Sequence, residues 1–160
     1  MLKQILKILE SDARISARQM SAMTGLGQAE VTRRVKQAED SRAILGYKTI
    51  INWQKVGEKQ VWALIEVKVK PEPEAGFDAI AGRISQFPQV HDAYLTSGSN
   101  DLLVVVVDKA ESDIADFVSQ KLSHIEGVQS TETHFVLRRY KENGIMCEDD
   151  EVVKRQPVIL

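Results

Sequence analysis

Apolar positions in the first third of the chain recur with helical spacing. Leu2, Ile5, Leu6 and Leu9 fall at i, i+3, i+4 and i+7, which predicts one amphipathic helix closing at Ser11-Asp12. Ser16 followed three residues later by Gln19 has the form of a capping box, in which a hydroxyl and an amide side chain each satisfy a free backbone N–H. It predicts a second helix over 17–24, with Met20 and Met23 as core filling. Gly25-Leu26-Gly27 interrupts that helix, and Gly25 stands where a C-cap needs positive φ. A third helix is predicted over 28–42. Val31, Val35 and Ala38 form its buried stripe, turning Arg33, Lys36 and Gln37 outward and leaving Thr32 and Arg34 on the flanks. Helix, short glycine turn, helix with a basic outer face is the helix-turn-helix pattern, whose second helix suits the major groove of double-stranded DNA.

The period then changes. Ile44, Tyr47, Thr49, Ile50 and Ile51 read as a strand, and 53–60 as a turn-rich linker. Beyond it, strand 61–69 leads to a helix carrying Phe77, Ile80, Ala81 and Ile84, then to strand 90–97. Strand 102–107 leads likewise to a helix carrying Ile114, Phe117, Val118 and Leu122, then to strand 128–137. Two strand-helix-strand units in tandem predict a ferredoxin-like βαββαβ domain with both helices on one face of an antiparallel sheet. Residues 102–107 are apolar at six consecutive positions, leaving no polar side for water, so a second subunit covering the open face is the simplest arrangement. The expected fold class is therefore α+β: a winged-type helix-turn-helix domain over 1–52, the linker, a ferredoxin-like domain over 61–142 and a tail over 143–160.

Composition narrows the chemistry. The 160 residues are 43% hydrophobic and 28% charged, as in soluble globular chains, and no apolar run reaches the roughly 20 residues of a membrane span; with no secretory signal visible, a cytoplasmic location is expected. Cys147 is the single cysteine, which excludes an intrachain disulfide, and His91, His124 and His134 lack metal-ligand spacing, so no metal site is expected. The net charge of −2 hides an asymmetry: residues 1–52 hold nine Lys/Arg against five Asp/Glu, residues 53–160 twelve against eighteen. The split predicts a basic module that meets a polyanion joined to an acidic one that does not. Gly25-Leu26-Gly27 begins a G-x-G, but Glu30 occupies the place of the third glycine and no strand precedes it, so no nucleotide cofactor follows.

Residues 5–16, from Ile5-Leu6-Lys7-Ile8-Leu9 to Ser16, and 25–36, Gly25-Leu26-Gly27-Gln28-Ala29-Glu30-Val31-Thr32-Arg33-Arg34-Val35-Lys36, resemble the opening and recognition helices of the leucine-responsive regulator (Lrp/AsnC) family of transcription factors. Ile44-Leu45-Gly46-Tyr47 resembles its exit strand, residues 95–103 (Leu95-Thr96-Ser97-Gly98-Ser99-Asn100-Asp101-Leu102-Leu103) its effector loop, and Gly127-Val128-Gln129-Ser130-Thr131-Glu132-Thr133 its last strand. Ser41-Arg42 departs from the Glu-Gly common there, and Asn100 and Leu102 replace aromatics common around the loop aspartate. The resemblance implies a DNA-binding regulator, not an enzyme, that works as a homodimer or a higher homo-oligomer such as an octamer and responds to a small molecule, expected to be an amino acid, bound between C-terminal domains. The DNA-contacting candidates are then Gln28, Ala29, Thr32, Arg33, Arg34 and Lys36. The effector candidates are Ser97, Gly98, Ser99, Asn100 and Asp101, with Asp101 offering a carboxylate to an ammonium group, and the hydroxyls of Thr131 and Thr133. Their loop is expected to join two central strands. The alternative is an enzyme like the siroheme decarboxylases, which resemble this family in architecture; the absence of His, Tyr and Trp from 96–103 argues against it.

Overall fold

The computed structural model describes residues 1–71 and 76–147, and the chain divides between Ile50 and Ile51 into two units. The first unit holds α1 (Leu2–Ser11), α2 (Ala17–Thr24) and α3 (Gln28–Asp40). The capping box at the start of α2 is formed: the Gln19 N–H donates to Ser16 Oγ at 3.2 Å and the Ser16 N–H to Gln19 Oε1 at 3.0 Å. Gly25 ends α2 in the left-handed region at φ 72°. Ile5, Met20 and Val31 are the buried centre, with Ile8, Leu9, Ile15, Leu26 and Val35 packed around them. Of the expected stripe of α1, Ile5 is fully buried and Leu6 and Leu9 are half-buried, with Ile8 half-buried beside them; Leu2 is exposed, against expectation. Met23 is 59% exposed, so only Met20 fills the core. α3 stops at Asp40 instead of reaching Arg42, because Arg42 turns into the left-handed region (φ 58°) and the Ile44 N–H reaches back to the Ala38 carbonyl at 3.0 Å.

The strand expected over 44–51 does not form. A strand exists through ladder hydrogen bonds to a neighbour, and this segment has none among the described residues. Tyr47 ties it to α3 instead, its hydroxyl donating to Glu39 Oε1 at 2.8 Å. Burial and the adjacent Glu39 carboxylate raise the Tyr47 pKa above its ordinary value.

The second unit carries an antiparallel sheet of β1 (Val61–Val69), β2 (Val90–Leu95), β3 (Leu102–Asp108) and β4 (Val128–Phe135) in the order β2-β3-β1-β4, with α4 (Asp78–Ser85) and α5 (Glu111–Gln120) as crossovers. This is the ferredoxin-like topology. Register sorts the side chains: Ala63 opposes Val106, Ile65 Val104 and Val67 Leu102, and these fully buried residues pack with Ile80, Ile84, Ile114, Phe117 and Leu122 beneath both helices. The alternate set, Trp62, Leu64, Glu66, Leu103, Val105 and Val107, lies on the open face. There Val105 is only 9% exposed and Leu103 and Val107 are half-buried, so β3 is largely covered within one chain while Leu64 and Tyr94 stay exposed. β2 and β4 end two residues earlier than their patterns predict, at Leu95 and Phe135. β2 is also an edge strand, so its loop joins an edge to a central strand.

A short hairpin of β5 (Lys141–Glu142) and β6 (Ile145–Met146) follows, turning through Asn143 and Gly144, both at positive φ (45° and 84°) as a two-residue type I′ turn requires. Within the expected tail, the acidic run Glu148-Asp149-Asp150-Glu151 and the apolar end lie outside the described residues.

Candidate functional site

α3 follows the three-residue turn Gly25-Leu26-Gly27, and its buried Val31 and Ala38 fix which face is outward. Gln28, Ala29, Thr32, Arg33 and Lys36 are exposed there, and Arg34 is half-buried at the flank. The cations are not bare. Glu30 Oε2 accepts from Arg33 Nε at 2.9 Å, while Glu30 Oε1 accepts from an Arg33 terminal nitrogen at 2.8 Å and from Arg34 Nε at 2.6 Å. These are the i+3 and i+4 neighbours that a helix stacks on one face. The hydrogen bond from Arg34, then that from Arg33, holds the Glu30 carboxyl below its ordinary pKa. Lys36 Nζ lies 3.8 Å from Asp40 Oδ1. The helix therefore presents three cations that the two carboxylates of Glu30 and Asp40 offset only in part.

At one end of the sheet the Thr96 N–H donates to the Asp101 carbonyl at 2.8 Å, closing the β2–β3 loop over residues 97–100. Asp101 is occupied on both sides. Its N–H donates to the Val67 carbonyl at 3.2 Å, and its Oδ2 accepts from the Val69 N–H at 2.9 Å, across the bulge where β1 leaves its register with β4. It staples the loop to β1 and does not line the cavity of about 230 Å³ beside the loop. Ser97, Gly98, Ser99 and Asn100 do, together with Thr96, Leu103 and Glu66. Thr131 and Thr133 are not brought to this cavity. They oppose Val67 and Ile65, on the helix-covered face, whereas Glu66 and Leu103 lie on the open one.

Residues 3–39 match the AsnC-type helix-turn-helix domain, and residues 62–146 match the Lrp/AsnC ligand binding domain. The chain belongs to the Lrp/AsnC family of transcriptional regulators. This regulator is 40% identical over 153 residues to the HTH-type transcriptional regulator YugG of Bacillus subtilis (strain 168), covering 95% of this chain and 92% of that one. The crystal structure of MtbAldR superposes with a TM-score of 0.75 at 22% identity, over 88% of this chain and 94% of that one. The regulator NMB0573 of Neisseria meningitidis, solved as an L-Met complex, gives 0.69 at 24% identity over 87% and 89%. At those identities the likeness to the two solved structures shows the fold.

Glu66 escaped the sequence reading because its neighbours are far away in the chain. On the open face of the regulator's sheet Glu66 pairs directly with Glu132, and Asn100 Nδ2 donates to Glu66 Oε2. His134 Nε2 lies 3.9 Å from Glu66 Oε1 and 3.6 Å from Glu132 Oε1. Among the described residues Glu66, Glu132 and His134 form the group able to converge on a metal ion, their ligand atoms lying within 4.8 Å of one another. The visible signal was Glu132-x-His134, two residues on one face of one strand. No described helix is long and apolar enough to cross a membrane.

Proposed function

We propose that the regulator binds double-stranded DNA through α3, with Arg33 reaching a guanine edge, Arg34 and Lys36 neutralising phosphates, and Gln28, Ala29 and Thr32 packing against the groove. The observation that carries this reading is the basic outward face of a helix set behind a glycine turn on a rigid apolar core. The cavity beside residues 97–100 takes a small effector, and an α-amino acid suits its hydroxyls, carboxylate and free amides. That NMB0573 was solved with L-Met supports this choice of class. The exposed Leu64 and Tyr94 on the open sheet face support assembly as a homodimer or a higher homo-oligomer in the cytoplasm.

Binding titrations on fragments selected from genomic DNA, at several salt concentrations, test the DNA assignment. Arg33→Ala should cost about 1–3 kcal/mol and relax preference at one base pair, while Lys36→Ala weakens all sequences alike and flattens the salt dependence. An unchanged affinity in the Arg33→Ala, Arg34→Ala double variant refutes the assignment.

A further inference from the structure

We propose that the effector's ammonium group is held by Glu66 and not by Asp101. The inference rests on the effector reading above and adds the residue that recognises the ligand's positive charge.

Asp101 is unsuited to the task because its carboxylate already accepts the Val69 N–H and its backbone is bonded to Val67 and Thr96. Glu66 is the acidic side chain among those lining the cavity. Asn100 holds its Oε2, and the group set against its Oε1 is the His134 imidazole, 3.9 Å away. Glu132 stands directly across the strand pair, and like charges placed opposite each other disfavour the sheet. One imidazole thus faces two carboxylates, and a compact cation entering beside Glu66 relieves that imbalance. An ammonium group brings charge and three N–H donors in a single small head.

The other end of an α-amino acid needs donors. The backbone N–H groups of Ser97, Gly98 and Ser99 have no acceptor among the described residues, and the hydroxyls of Ser97 and Ser99 lie on the same loop. Gly98 sits at φ 155°, a conformation that L side chains rarely adopt, although a Cβ there would meet nothing within 4 Å; glycine is required by the backbone conformation of the loop, not by lack of room. Acceptor on the sheet, donors on the loop and the apolar Leu103 in the same lining match a zwitterion with a short apolar side chain.

The test is calorimetric titration of the full chain with each proteinogenic amino acid, a chelator being present to exclude metal at Glu66, Glu132 and His134. The best ligand is then compared with its desamino analogue, the same carboxylic acid with hydrogen in place of the amine. Wild type should prefer the amine about tenfold to a hundredfold. Glu66→Gln, which retains an acceptor for Asn100, should lose that preference; Glu66→Asp should bind more weakly yet keep it, and Glu132→Gln should keep it in full. Glu66→Gln that melts like wild type and still prefers the amine overturns the inference while leaving the effector reading intact. Failure of every amino acid to bind wild type removes the effector reading and this inference with it.

Discussion

Two glutamates of similar exposure sit in opposite circumstances. Glu30, in the helical unit, is balanced by Arg33 and Arg34, residues three and four positions away on the same helix. Glu66, in the sheet unit, faces a second carboxylate, an imidazole and an amide, all at least 34 positions away in the chain. The contrast extends to the units as wholes. The first is secured by bonds of short reach, such as Ser16 with Gln19 and Tyr47 with Glu39. The second depends on distant pairs, such as Asp101 with Val69 and the Arg83 guanidinium with the Glu126 carbonyl. A charge compensated within its own helix leaves the surface ready for a ligand that must displace it, while a charge assembled across strands can be left unbalanced for a ligand to complete.

Substitutions at long-range positions should therefore cost most. Gly127 has φ 93°, and a Cβ there would lie 2.5 Å from Ile80 Cδ1 and 3.3 Å from the Lys70 carbonyl. Gly127→Ala should lose about 2–4 kcal/mol in denaturant unfolding, from left-handed strain plus overpacking. A loss below about 0.5 kcal/mol would show that the junction yields and would weaken the contrast. Asp101→Ala, which strips the Val69 N–H of its charged acceptor, should cost about 1.5–3 kcal/mol.

Effects in the helical unit should be smaller and, at one position, reversed. The folded pKa of Glu30 lies below its ordinary value of 4.5, so its ion pairs stabilise fully above that value and are lost as pH falls through the folded pKa. The melting difference between wild type and Glu30→Gln should accordingly be present at neutral pH and vanish in strong acid. The same variant frees Arg33 and Arg34 for phosphates, so its affinity for unrelated DNA should rise and its salt slope steepen by about 1. If the affinity is unmoved, the carboxylate is not competing with DNA. Arg42 holds φ 58° at the end of α3, and Arg42→Gly should stabilise by about 0.5–1 kcal/mol through relief of that strain, read as a rise in Tm.

Most of the helical unit was legible because its determinants lie within one or two turns of each other. The capping box, Gly25 and the Val31/Ala38 stripe are all local patterns that act as written. The exceptions there are also local: Leu2 on α1 and Met23 on α2 stay exposed, and 44–51 carries β-forming residues with no ladder partner among the described residues. In the sheet unit, the apolar spacing locates β1 to β4 and both crossover helices, and the dipeptide Asn143-Gly144 is the local signal of the β5–β6 hairpin.

Which residues share the cavity was another matter. Hydroxyls at Thr131 and Thr133 and a carboxylate at Asp101 were reasonable by chemistry, but a strand sends alternate side chains to opposite faces and a one-residue change of register exchanges them. Only the pairing of β4 with β1 puts both threonines beneath the helices, and only the bulge after Lys68 brings the Val69 N–H to Asp101. Local spacing along the chain encodes the helix-turn-helix unit and the strand-helix-strand order, so both are readable before any folding. Tertiary structure decided that Glu66, Asn100 and the loop amides meet, because cross-strand register joins residues that no local pattern relates.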